Sequence, residues 1–187
     1  MKKIDFLYEE FDILAKNNIF KNGIPSFIKN NLNQKLPLRP YQIEAFSRFF
    51  YYINNYPQRK KPIHLLFNMA TGSGKTIIMA GLMLYLYEKG YRNFLFLVNS
   101  TNIIEKTKDN FLNEISNKYL FNDRIEINNK EVKISKVDNF QSINDEDINI
   151  SFTTIQKLHE DLSLEKENSI TFEDFRRNRI IILSDEA

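Results

Sequence analysis

Apolar residues change their spacing several times along this chain, and each change predicts a new element. Ile4, Leu7, Phe11 and Leu14 recur at helical intervals among charged residues, which predicts an amphipathic helix over 4–17. Asn22-Gly23 and Pro25 carry turn chemistry, so residues 1–36 are expected to form an N-terminal helical extension. Pro40 suits the first turn of a second helix whose buried stripe is Ile43, Phe46, Phe50 and Ile53. From Ile63 a short apolar run predicts a buried strand that breaks into a glycine-rich loop. Thr76 to Glu88 reads as a helix buried against a sheet, stopped by Gly90. Phe94 to Val98 is a continuous apolar run, as in a parallel strand covered on both faces. Strand, loop, helix and strand in this order make a βαβ unit.

Further along, Ile104, Phe111 and Ile115 mark another amphipathic helix, with Asn102 and Glu105 spaced as a capping box. Arg124–Ile127 and Glu131–Ile134 alternate around Asn128-Asn129, which predicts a β-hairpin inside an insertion at 120–147. Ile148–Phe152 returns to a strand, with a helix following near Lys157–Leu162. Arg179–Ser184 is a last apolar strand. The expected fold is α/β, a parallel sheet with flanking helices.

Composition narrows the chemistry. A chain of 187 residues, 42% hydrophobic, can bury one good core. It has no cysteine, which excludes a disulfide framework, a thiolate metal site and a cysteine nucleophile together. Asp5, Glu9, Glu10 and Asp12 stand where a signal peptide needs an unbroken apolar run, and no window has the length of a membrane span. A cytoplasmic protein without a membrane partner is therefore expected. A net charge of +2 argues nothing about nucleic acid by bulk electrostatics, so such a claim must rest on local residues.

The chemistry concentrates in Ile63–Thr76, IHLLFNMATGSGKT. Gly72 and Gly74 let the backbone curl so that its N–H groups face inward, and the following helix turns its positive dipole end to the same hollow. Thr71, Gly72, Ser73 and Gly74 would wrap phosphates, Lys75 would add a point charge, and the Thr76 hydroxyl can ligate Mg²⁺. The plain alternative, a flexible surface loop, does not account for the strand and helix on either side. Asp185 and Glu186 emerge at the end of the last strand, where a P-loop enzyme needs one carboxylate for the Mg²⁺ shell and another for the attacking water. Gln42 lies off the buried stripe near a helix start; taken alone it reads as a solvated surface residue, but its place ahead of the glycine loop favours the other reading, an amide paired with the N6 and N7 edge of adenine. Ser100 and Thr101 follow one strand, and Thr153 and Thr154 end another. Each pair has two readings, as helix caps or as contacts to a nucleic-acid backbone. Asp145-Glu146-Asp147 is read as a solvated acidic turn rather than a metal cluster, and His64 and His159 as structural.

These segments together resemble superfamily 2 helicases and translocases. A-T-G-S-G-K-T looks like their motif I, although the general P-loop pattern has Gly where Met69 stands. L-R-P-Y-Q-x-x-A-F resembles the adenine-recognising Q motif, with Arg39 and Gln42 at the matching places, and D-E-A resembles motif II. V-N-S-T-N-I-I-E-K-T, F-T-T-I-Q-K-L and S-D-E-A are most similar to the helicase subunit of type III restriction enzymes and related type I subunits. The resemblance implies that residues 37–187 form the first RecA-like ATPase lobe, with motif II at the end of the chain. It implies ATP and Mg²⁺ as cofactors, duplex DNA rather than RNA as the track, and a methyltransferase or specificity subunit as a partner. In these roles Lys75, Asp185 and Glu186 are catalytic, Thr76 and Asp185 hold the metal, and Arg39 and Gln42 join the loop in binding nucleotide. A single lobe without the second, which supplies arginine fingers in the family, is expected to bind ATP weakly and turn over little. Two alternatives stand beside this reading: a non-catalytic module that binds ATP or a partner, and a small-molecule P-loop kinase. The kinase fits less well, because the Asp-Glu pair suits hydrolysis better than transfer to a hydroxyl.

Overall fold

The computed structural model describes residues 6–20, 23–164 and 166–185. In chain order the elements are helices α1 (Leu7–Lys16), α2 (Ser26–Asn31), α3 (Pro40–Asn54) and α4 (Lys75–Glu88), strand β1 (Asn93–Val98), helix α5 (Thr101–Leu112), strands β2 (Ile125–Ile127), β3 (Lys130–Val132), β4 (Ile134–Lys136) and β5 (Ile148–Thr154), helices α6 (Ile155–Ser163) and α7 (Phe172–Arg177), and strand β6 (Ile180–Ser184). They fall into two compact units. One takes residues up to 26 together with 37–73, and the other takes 27–36 and 74 onward.

The second unit holds the sheet, ordered β4-β5-β1-β6 with every pairing parallel. Alternation along β1 explains how both faces are covered. Phe96 faces one side and meets Phe111 of α5 and Phe152 of β5, with ring centroids 5.4 and 5.7 Å away. Leu95 and Leu97 face the other side, in a core with Phe140, Ile170, Leu158 of α6 and Phe175 of α7. Helix α4 is apolar nearly all round, and Ile77, Ile78, Met83 and Leu84 are buried in it. This is the RecA-like P-loop arrangement expected from the sequence, a parallel sheet flanked by helices. Among the described residues no helix is long and apolar enough to cross a membrane.

The hairpin β2–β3 forms around Asn128 and Asn129, both with positive φ, as a two-residue turn requires. Asparagine tolerates that conformation because its short polar side chain bonds locally. Ile134, expected at the end of the hairpin, instead begins β4, which pairs with β5 and so enters the main sheet. The hairpin is tied to α2, where Asn31 bonds both backbone groups of Glu126.

In the first unit, α1 and α3 pack through rings: Phe11 is buried against Phe20, Tyr51, Tyr52 and Tyr56. Arg48 of α3 pairs with Glu44 on its own helix and with Asp12 on α1. Such partly exposed pairs add little beside the apolar contact and serve mainly to set orientation. Ile4 and Asn22, which entered the expected helix and turn, lie outside the described residues.

Two further expectations are corrected. The run from Ile63 is not a buried strand: it pairs with no other strand among the described residues, and Leu66 is 83% exposed. An apolar run becomes a strand only where a neighbour completes its ladder, and none is supplied here. Asn102 and Glu105 do not form a capping box either. Helix α5 starts at Thr101 with Ser100 as its N-cap, and Glu105 instead pairs with Lys108 at 2.6 Å.

Candidate functional site

The glycine loop meets helix α4 as its sequence predicts. Gly72 and Gly74 have φ of 75° and 80°, the left-handed region that costs glycine nothing, and Gly74 is the N-cap of α4. Lys75 and Thr76 are therefore the first two residues of the helix, where backbone N–H groups lack an intrahelical acceptor and the dipole favours an anion. Both are partly buried, whereas Thr71 and Gly72 are exposed. The Ser73 N–H closes a turn onto the Ala70 carbonyl at 3.2 Å, and the buried Ser73 Oγ has no hydrogen-bond partner among the described residues.

In the first unit Gln42, expected off the buried stripe of its helix, instead lies on the buried face with Phe46, Phe49 and Tyr52: it is only 4% exposed, because its amide is engaged at both ends. Its Oε1 accepts from the Arg39 N–H at 2.8 Å, capping α3, and its Nε2 donates to the Ser73 carbonyl at 2.8 Å. An amide has a second N–H and a second lone pair, so one donor and one acceptor remain for a base edge. Arg39 is the N-cap of α3, and its guanidinium donates to the Tyr41 hydroxyl at 2.9 Å. Tyr41 in turn donates to the same Ser73 carbonyl at 2.9 Å. Sequence reasoning missed Tyr41, whose only signal is its place between Arg39 and Gln42.

In the second unit, the carboxyl ends of the strands lie level. Val98 is in register with Thr154, and Leu97 with Ser184. Asp185 follows β6 and extends the ladder, its N–H donating to the Leu97 carbonyl at 3.1 Å. Ser100 and Asp185 thus leave the sheet at one edge, where open parallel sheets bind ligands. Helix α4 reaches β1 through residues 89–92, and so short a connection makes helix and strand run in opposite directions, returning Lys75 and Thr76 towards that edge. Glu186 lies outside the described residues.

The two polar pairs differ. Thr154 Oγ1 caps α6 by accepting from the Lys157 N–H at 3.0 Å, and Thr153 is buried with its hydroxyl on the Thr154 carbonyl. Both have structural work. Ser100 and Thr101 are exposed, and the Ser100 side chain makes no capping bond.

The donor set suits a magnesium-bound polyphosphate. In the second unit the Lys75 ammonium and the N-terminus of α4 are groups that suit phosphate oxygens, and the Thr76 hydroxyl and Asp185 carboxylate are hard oxygen donors of the kind magnesium takes. Among the described residues there is no cluster of three or more His, Asp or Glu side chains that could hold a metal ion.

No solved structure matches the chain. It is 42% identical over 171 residues to a protein of Haemophilus influenzae named as a probable type III restriction-modification enzyme HindVIP Res subunit. That match covers 88% of this chain and 33% of the relative, so the chain spans about a third of the length of the curated relative it matches. The family model described as "Type III restriction enzyme, res subunit" (ResIII) matches residues 35–187. A match of that extent, over the glycine loop, the parallel sheet and Asp185, places the conclusion on the whole domain: the chain belongs to the ResIII family, that of the res subunit of type III restriction enzymes.

Proposed function

We propose that the chain is the ATP-binding first motor lobe of a DNA-dependent ATPase and translocase, working in a type III restriction system on duplex DNA beside a modification subunit. The observation that carries this is the left-handed Gly72 and Gly74 opening α4 at Lys75 and Thr76, with Asp185 following the end of β6 at Ser184.

Lys75 would set its ammonium against the terminal phosphates. Thr76 and Asp185 would supply the two side-chain oxygens for magnesium, and Glu186 would orient the attacking water. Magnesium, when bound, would neutralise charge that develops on the phosphate oxygens. Arg39 and Gln42 would read the adenine edge, and Ser100 and Thr101 would hold backbone phosphates of the DNA. Thr153 and Thr154 would act there only through the strand end they order.

Residues 1–187 by themselves hold one lobe, and a rate lower by roughly 10³ to 10⁵ is the size of effect expected without an arginine finger. Titration of these residues with MgATP should give weak, saturable binding that Lys75→Ala abolishes, with no turnover stimulated by duplex DNA. Robust DNA-stimulated hydrolysis by residues 1–187 would overturn the single-lobe assignment. Absence of any MgATP binding would overturn the site.

A further inference from the structure

The Ser73 carbonyl accepts two hydrogen bonds, from the Tyr41 hydroxyl at 2.9 Å and from Gln42 Nε2 at 2.8 Å. Two donors fill both lone-pair directions of a carbonyl and fix the plane of its peptide. The peptide joining Ser73 to Gly74 is trans, because the cis bond among the described residues is at Lys61-Pro62. In a trans peptide the C=O and the following N–H point in opposite directions. Holding the Ser73 carbonyl towards α3 therefore turns the Gly74 N–H away from α3. That N–H makes no hydrogen bond to another described residue. Gly74 can hold this orientation because its φ is 80°.

Tyr41 is itself held. The Arg39 guanidinium donates to the phenol oxygen at 2.9 Å, and a cation on the oxygen polarises the O–H and strengthens the bond it donates. Tyr41 is 40% exposed, so its ring is not kept there by burial alone. The polar end is what the neighbourhood uses.

We propose that Tyr41 is a positioning residue of the phosphate loop: relayed from Arg39 and acting jointly with Gln42, its hydroxyl locks the Ser73–Gly74 peptide so that the Gly74 N–H is presented to a phosphate oxygen. This rests on the reading of the loop as a nucleotide site. It assigns the segment ahead of the loop a role in phosphate binding, whatever it also does for the base.

The experiment compares wild type, Tyr41→Phe, Tyr41→Ala and Lys75→Ala in the 187-residue chain. Affinities are measured for MgATP and for magnesium tripolyphosphate, which has no base, and thermal denaturation checks each fold. Tyr41→Phe keeps the ring and removes only the hydroxyl. It should weaken both ligands by the same factor, about three- to tenfold, the size of one hydrogen bond. Its melting temperature should stay near wild type, and Tyr41→Ala should be no worse for tripolyphosphate than Tyr41→Phe. Unchanged affinities in Tyr41→Phe overturn the proposal. So does a loss confined to MgATP and seen only in Tyr41→Ala, which would make Tyr41 a stacking surface for the base. The underlying reading is tested separately: if wild type binds MgATP and Lys75→Ala does not, the site stands and the Tyr41 variants decide. If wild type binds neither ligand, the site reading fails and this inference falls with it.

Discussion

Asn31 and Glu126 exchange a complete amide pair: Asn31 Nδ2 donates to the Glu126 carbonyl at 2.7 Å, and the Glu126 N–H donates to Asn31 Oδ1 at 2.8 Å. Asn31 imitates a strand edge at the end of α2 and satisfies the backbone N–H and C=O of a β2 residue, both of which point away from β3.

Removing that pair should destabilise the second unit. Asn31→Ala strands one donor and one acceptor at a site where Asn31 is 4% exposed, so a loss of about 2–3 kcal/mol is expected. Asn31→Asp keeps the acceptor for the Glu126 N–H but sets a buried carboxylate oxygen against the Phe27 and Glu126 carbonyls, and at neutral pH should cost at least as much. Chemical denaturation with matched m-values checks both.

Gln42 offers a pH-dependent test of the bond to Ser73. Gln42→Glu keeps an acceptor for the Arg39 N–H but sets a carboxylate against the Ser73 carbonyl, and two acceptors repel. Affinity for MgATP should fall about tenfold at pH 8 and recover in part near pH 5, where a carboxyl raised by this contact can donate again. A pH-independent loss would show that the donor is not what matters.

Alkaline titration should report on each unit through its own tyrosine. The Tyr56 hydroxyl is pushed from 10.0 up to about 12, first by its hydrogen bond to Glu10 and then by burial. Tyr119, 6% exposed, is pushed to about 12 chiefly by burial. Both raised values favour the neutral phenol in the folded state. Their stabilisation is therefore complete below pH 10, the unfolded value, and is lost as pH rises towards 12. Tyr56→Phe and Tyr119→Phe should each flatten part of the fall in melting temperature above pH 10.

Ser100 and Thr154 should separate a surface contact from a cap. Thr154→Ala removes the bond to the Lys157 N–H and should cost about 1 kcal/mol of stability. Ser100→Ala removes no capping bond and should stay within about 0.5 kcal/mol of wild type. If Ser100 touches the DNA backbone, duplex affinity of a DNA-binding form should drop in Ser100→Ala, with a smaller change in Thr154→Ala.

Elements that carry their own local signal were legible in the sequence. FLFLV had to be a strand buried on both faces, and the Asn128-Asn129 pair could turn a hairpin without help. The run at Ile63 misled because strand formation depends on a neighbour, which no local pattern contains. Helix α7 was missed although Thr171 and Asp174 form a real capping box, since six residues give too little periodicity to read. At the loop, the glycines and Lys75 announce phosphate by residue type alone. Tyr41 acts through a carbonyl thirty-odd positions away, and an exposed aromatic at a helix start carries no sign of that contact.

The parallel pairing of β1 also governs how the chain is made. Its partners are β5 and β6, both synthesised after the whole of α5 and the hairpin. A hairpin can close as soon as it leaves the ribosome, but β1 must wait with both edges bare while more than fifty further residues emerge. During that interval an apolar segment without a charge or proline is a template for pairing with another nascent copy. Slowing translation between Val98 and Ile148 should therefore lower the yield of soluble protein, whereas the same delay after Ser184 should not.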